Sequence, residues 1–124
     1  MFKKVGLITT SSVEAIKTTL IEVVSYLRSY DQEIILNKSC AESIKIDNCK
    51  IYDTNELGNH CDLVIAIGGD GTMLKASRSL CDFNVPLLGI NLGHVGFLAD
   101  IPADNISKNL DEIMNGNYVE DIRF

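Results

Sequence analysis

The stretch Leu63-Val64-Ile65-Ala66-Ile67-Gly68-Gly69-Asp70-Gly71-Thr72 decides the fold of this chain. Its first five residues are all apolar, without the alternation of a half-exposed strand, and so fit a strand covered on both faces. The turn Gly68-Gly69-Asp70-Gly71 then redirects the chain sharply, because glycine permits φ > 0 and lets a ligand touch the backbone. Thr72 to Leu80 reads as a helix with Met73, Leu74, Ser77 and Leu80 on its inner side. A buried strand that turns through glycines into a helix is the unit of a parallel sheet, and such sheets receive ligands at the carboxyl ends of their strands.

The same grammar extends in both directions. Val5 to Ile8 forms a short buried strand. Ser11-Ser12-Val13-Glu14 follows as a capping box, a hydroxyl with a carboxylate three residues on. Val13, Ile16, Leu20, Val23, Val24 and Leu27 then recur at helical spacing, and Ile34-Ile35-Leu36 is a second strand. Residues 37–61 scatter Ile44, Ile46, Ile51 and Leu57 among polar residues, which predicts short elements and a surface connection. Pro86 to Ile90 is another buried strand, and Asn91 to Asp100 a glycine-containing loop. Asp104 or Asn105 caps a last helix carrying Ile106, Leu110, Ile113 and Met114, which Gly116 ends. The expected fold is α/β: a Rossmann-like parallel sheet with helices on both faces, in one nucleotide-binding domain over residues 1–117.

Composition narrows the function. The chain has 124 residues, 46% hydrophobic and 23% charged, with two Pro, which suits one globular domain and not a disordered segment. A net charge of −6 offers no basic face, so nucleic-acid binding driven by phosphate contacts is not expected. Phosphate can still be held locally by backbone N–H groups at a helix N-terminus. Cysteines 40, 49, 61 and 81 form no C-x-x-C pair or zinc spacing and read as free thiols of a reducing compartment. The N-terminal apolar run is too short for a signal segment, and no run approaches the ~18 residues of a membrane span. A cytoplasmic protein is expected.

Two segments carry chemistry. In the first, Asp70 is out of place, since a carboxylate repels phosphate. It can cap the helix, bind a hydroxyl, help hold a metal, or accept the proton of a hydroxyl nucleophile. The plainer alternative is a structural turn with Asp70 as its cap. No G-K-[ST] follows, so the turn is not a Walker loop, and Leu74 replaces the last glycine of G-x-G-x-x-G. The second segment is Gly89-Ile90-Asn91-Leu92-Gly93-His94-Val95-Gly96-Phe97-Leu98, again just past a strand. Phe97 can cover a flat base, or can plug the core with Leu98. His94 reads as a surface loop residue.

Together the two segments resemble NAD kinase. That family carries G-G-D-G and then M-L-x-A-x-R, matched by Met73, Leu74, Ala76 and Arg78. Further on it carries G-I-N-x-G-x-x-G-F-L, matched by Gly89 to Leu98 at every specified position. Tyr118-Val119-Glu120-Asp121-Ile122-Arg123 is similar to the family's Y-x-x-E-x-R entry into a second, mostly β domain, so residues 118–124 are expected to begin that domain.

The resemblance implies ATP-dependent (in some members polyphosphate-dependent) phosphorylation of the adenosine 2′-hydroxyl of NAD, giving NADP. It implies Asp70 as general base. It implies an NAD site comprising Gly69, Asp70, Gly71, Lys75, Asn91, Gly93, Gly96, Phe97 and Leu98, with the Lys75 ammonium reaching an NAD phosphate. Mg²⁺ or another divalent metal accompanies ATP; no protein metal-ligand set is implied. Arg78 is expected to be structural. The family is commonly homo-oligomeric through its second domain. Without that domain the 124-residue chain is expected to be inactive alone. Diacylglycerol-type lipid kinases also share G-G-D-G-T, but their next segment reads P-L-G-T-G-N-D, unlike Asn91 to Phe97 here. A non-catalytic nucleotide-binding module is the remaining alternative.

Overall fold

A computed structural model describes residues 3–10, 14–30, 32–44, 49–92, 100–101 and 110. Among the described residues, six parallel strands form one sheet: β1 (Lys4–Ile8), β2 (Glu33–Leu36), β3 (Lys50–Ile51), β4 (Leu63–Gly68), β5 (Leu87–Asn91) and β6 (Asp100–Ile101). Their spatial order is β3-β2-β1-β4-β5-β6. Helices α1 (Glu14–Ser29), α2 (Lys38–Ser43), α3 (Thr54–Leu57) and α4 (Asp70–Leu80) lie between them in sequence. The expected Rossmann-like α/β architecture is therefore present.

Side-chain alternation along the strands sorts the core into two layers. Leu63, Ile65 and Ile67 of β4 join Val5, Leu7, Ile34, Leu36, Leu88 and Ile90 in the layer covered by α1. Val64 and Ala66 join Ile8, Ile35 and Leu87 in the layer covered by α3 and α4. All six residues of β4 are buried, as its unbroken apolar run requires. On α1, Ile16, Leu20, Val23, Val24 and Leu27 face the sheet, following the predicted stripe. Each such buried aliphatic side chain contributes about 1.5–3 kcal/mol relative to an exposed one.

Four expectations change in detail. Helix α4 starts at Asp70, before the predicted Thr72. Its buried side chains are Thr72, Met73, Ala76 and Leu80, while Leu74 is 47% exposed and Ser77 half-buried. The reason is angular: each helical step turns about 100°, so Leu74 lies past the edge of a stripe centred between Met73 and Ala76. Asn91 is the last residue of β5 and not the first of a loop, and Asp100–Ile101 pair beside β5 as β6.

The predicted short elements of residues 37–61 are α2, β3 and α3. Asn37 caps α2: its Oδ1 accepts from the Cys40 backbone N–H at 3.0 Å. Ser11, Ser12 and Val13 of the capping box lie outside the described residues. So do the last helix, apart from buried helical Leu110, and residues 118–124. None of the four cysteines is disulfide-bonded.

Candidate active site

The strand order has a switch point between β1 and β4. From β1 the chain builds outward through β2 to β3, and from β4 it builds the other way through β5 to β6. The carboxyl ends of β1 and β4 thus flank the crevice where open α/β sheets bind ligands.

At the β4 end, Gly68 has φ +157°, a conformation that side-chain-bearing residues rarely adopt. A Cβ there would also lie 2.5 Å from Thr72 Oγ1 and 2.8 Å from Thr72 Cβ. Gly69 is the N-cap of α4, and the Met73 N–H donates to its carbonyl at 3.1 Å. Asp70 is the first residue inside the helix, solvent-exposed, so it is not the cap residue that the plainer alternative required. A carboxylate in a first turn also suits the positive end of the helix dipole. Gly69 and Gly71 differ from Gly68: a Cβ on either would meet no atom of the described residues within 4 Å. Among the described residues the outer face of this turn is open, and their packing does not explain these two glycines.

The second motif begins beside the first. Gly68 and Asn91 are register partners across β4 and β5, and the Leu92 N–H donates to the Gly68 carbonyl at 2.8 Å. The backbone of Asn91 is therefore brought next to the Gly68–Gly71 turn. Gly93, Gly96, Phe97 and Leu98 lie outside the described residues.

On the β1 side, Thr10 Oγ1 and Thr72 Oγ1 are 2.6 Å apart, a hydroxyl–hydroxyl bond that ties the end of β1 to α4 across the switch point. Beside it opens a cavity of about 230 Å³ whose walls include Thr10, Asn37, Lys38, Asp53, Thr54 and Lys75. Asn37 is the post that holds these walls. Its Nδ2 donates to the Thr9 carbonyl at 2.9 Å and to Thr54 Oγ1 at 3.1 Å, and its Oδ1 also accepts from the Thr9 N–H at 3.4 Å. Lys38 and Asp53 form an ion pair at the rim, 2.8 Å apart and largely exposed. Asp53 beside it raises the Lys38 pKa, so this lysine stays an ammonium.

Lys75 lines this cavity rather than sharing Asp70's side of the helix. Five residues on, it is rotated about 140° around α4 from Asp70. Arg78 is exposed in the last turn of α4, where a cation suits the helix dipole. Thr10, Asn37, Lys38 and Thr54 had not been singled out by motif, yet Thr9-Thr10 and Asn37-Lys38 directly follow β1 and β2. The rule that drew attention to the ends of β4 and β5 applies equally there. Among the described residues, no three His, Cys, Asp or Glu side chains cluster so as to hold a metal ion, and no helix is long and apolar enough to cross a membrane.

Known proteins are similar to this chain. A family model of the ATP-NAD kinase N-terminal domain matches residues 5–118. An NAD kinase of Marinomonas sp. (strain MWYL1) is 37% identical over 124 residues, covering 100% of this chain and 42% of its own. One of Shewanella frigidimarina is 36% identical over 124 residues, again covering the whole chain and 40% of its own. The chain thus spans about two fifths of the length of these relatives. Among solved structures, yeast NADH kinase complexed with NADH superposes with a TM-score of 0.75 at 21% identity, over 93% of this chain and 38% of that one, a likeness of fold. By its family match and its relatives, this chain belongs to the ATP-NAD kinase family, as that family's N-terminal domain.

Proposed function

We propose that this chain supplies the catalytic carboxylate and one wall of the dinucleotide cleft of an NAD kinase, which phosphorylates the adenosine 2′-hydroxyl of NAD with ATP to give NADP. The observation that carries this reading is the pairing of Gly68 with Asn91, which sets the start of the second glycine segment beside the first, whose Asp70 is exposed in the first turn of α4. The family match and the NADH held by the yeast structural neighbour support a dinucleotide as the ligand. They do not favour the lipid-kinase alternative.

In this reading Asp70 accepts the proton of the 2′-hydroxyl. The freed oxygen forms a bond to the terminal phosphorus of ATP as the bond from that phosphorus to the leaving oxygen breaks, and ADP departs. Mg²⁺ or another divalent ion enters with ATP as part of the substrate and neutralises its phosphates. Gly69 and Gly71 let the ligand approach the backbone, and Asn91, Gly93, Gly96, Phe97 and Leu98 contribute to the NAD site. Lys75 supplies a cation to phosphate. The chain acts in the cytoplasm, in a homo-oligomer once its relatives' remaining length is added.

A chimera tests this: residues 1–118 joined to the remainder of the Marinomonas relative, assayed for NADP formation. Asp70→Asn should lower kcat by about 10²–10⁴-fold, the usual contribution of a positioned base, with little change in KM for NAD. An active chimera whose Asp70→Asn variant keeps near-parental turnover would remove the base assignment.

A further inference from the structure

We propose that Thr10, just past the carboxyl end of β1, is a positioning residue for Asp70: its hydroxyl bond to Thr72 holds the first turn of α4, and with it the carboxylate, in place. This rests on the kinase reading above and adds a residue that neither glycine motif contains.

The turn that carries Asp70 is soft by composition. Asp70 stands between two glycines, and glycine is a weak helix former with wide backbone freedom. Gly69, the N-cap of α4, has no side chain with which to cap the helix. Both glycines leave room for a ligand, so the turn must be held from elsewhere. Thr72 is the handle. Its side chain is buried, whereas that of Asp70 is exposed, and two helical steps of about 100° set them nearly opposite each other. A hold on Thr72 from inside therefore fixes the turn and leaves the Asp70 face clear. Threonine is branched at Cβ and stiff at χ1, so fixing its oxygen also fixes its backbone.

Thr10 is anchored well enough to hold it. The residue before it, Thr9, has both backbone groups bound by the Asn37 amide, which accepts from its N–H and donates to its carbonyl. Two plainer roles for Thr10 fall short. Its side chain is exposed, so it adds little to the core. The two halves of the sheet are already joined by the register pairs from Val5–Leu63 to Ile8–Ala66, so the sheet does not depend on one hydroxyl bond. What the bond at 2.6 Å adds is a fixed distance from the end of β1 to the turn that bears the base. A base works only where it meets its hydroxyl at hydrogen-bond distance, so this fixed distance bears on turnover.

Two measurements test this. The first is amide hydrogen exchange of the 124-residue chain. The Met73 N–H closes the turn on the Gly69 carbonyl at 3.1 Å, and in Thr10→Val it should exchange about two- to tenfold faster, the loss expected for one neutral hydrogen bond. The amide of Ile65, buried in the middle of β4, should keep its rate. Thr10→Ser, which keeps the hydroxyl, should match the parent at both. The second is turnover of the chimera described above. Thr10→Val should lower kcat about 10–100-fold with little change in KM for NAD or ATP, since a reacting group displaced by ~1 Å can cost about 10²-fold. Thr10→Ser should keep parental turnover. In an Asp70→Asn background Thr10→Val should cost nothing more, because the group it positions is gone. Met73 exchange indifferent to Thr10→Val, or a rise shared equally by Ile65, overturns the proposal. So does a kcat loss of the same size with and without the Asp70 carboxylate, or a loss confined to KM for ATP, which would make Thr10 a donor contact. An Asp70→Asn variant that loses turnover while Thr10→Val loses none overturns the positioning role alone. An Asp70→Asn variant with near-parental turnover removes the base assignment first, and this role with it.

Discussion

Two glycines three residues apart should respond in opposite ways to the same added methyl group. Gly68→Ala forces a side chain into φ +157° and sets its Cβ 2.5 Å from Thr72 Oγ1 and 2.8 Å from Thr72 Cβ, both backed by packed helix. The backbone term is about 1–3 kcal/mol and the overpacking term about 1–3 kcal/mol, so the variant should lose roughly 2–6 kcal/mol. Against a total of about 5–15 kcal/mol, that is a large share of the stability of the domain. Gly71→Ala lies inside α4 with no atom of the described residues within 4 Å of its new methyl, and alanine is the better helix former, so it should gain up to about 1 kcal/mol. Urea unfolding followed by circular dichroism reads both. With a slope of about 1–3 kcal/mol per molar, the Gly68→Ala midpoint should fall by roughly 1–3 M while that of Gly71→Ala holds or rises. The double variant Gly68→Ala/Thr72→Ala should recover part of the loss, because the obstructing side chain is gone. A Gly68→Ala variant within ~0.5 kcal/mol of the parent would refute the reasoning, since that is the scatter of inconsequential surface changes.

Other outcomes follow from the same structure. Asn37→Ala should cost roughly 2–4 kcal/mol in the same assay, because it removes the cap of α2 and leaves the Thr9 backbone groups without their partner. Leu74→Gln should change stability by less than ~0.5 kcal/mol, while Leu80→Ala, fully buried on the same helix, should cost about 2–5 kcal/mol. Burial pushes the Cys40 and Cys61 thiols from the ordinary 9.0 up to about 12, so both stay protonated in the folded chain. A raised folded pKa means that stability is retained below pH 9 and lost as pH climbs from 9 toward 12; urea midpoints across that window check it. In a labelling series with a thiol reagent at pH 8, exposed Cys81 should react first and buried Cys40 last.

The sheet was readable because its strands are buried on both faces. The apolar runs of β1, β4 and β5 have no other economical use, and the long helical stripe of α1 has one period throughout. Helices α2 and α3, with six and four residues, are too short to show a period, so residues 37–61 read only as short elements. Leu74 was misplaced because its chemistry promised burial, whereas the stripe of α4 is completed by Thr72 and Ala76, small residues that carry little hydropathy signal. The Gly68–Asp70 turn was legible as one contiguous motif. The cavity was not, because Thr10, Asn37, Thr54 and Lys75 come from four separate stretches of the chain and meet only after the sheet has formed. A sequence motif can announce a site made by one loop; a site made by several strand ends must be assembled first.

The Thr10–Thr72 contact has a mechanical consequence. The two halves of a doubly wound sheet meet at β1 and β4, and a bond of 2.6 Å at their open ends acts as a clasp on the mouth between them. The mouth then has a set width before any ligand arrives, and a guest need not spend binding energy drawing the halves together. Either oxygen can be the donor in the clasp, so one hydroxyl hydrogen remains to be offered outward while the clasp stays shut.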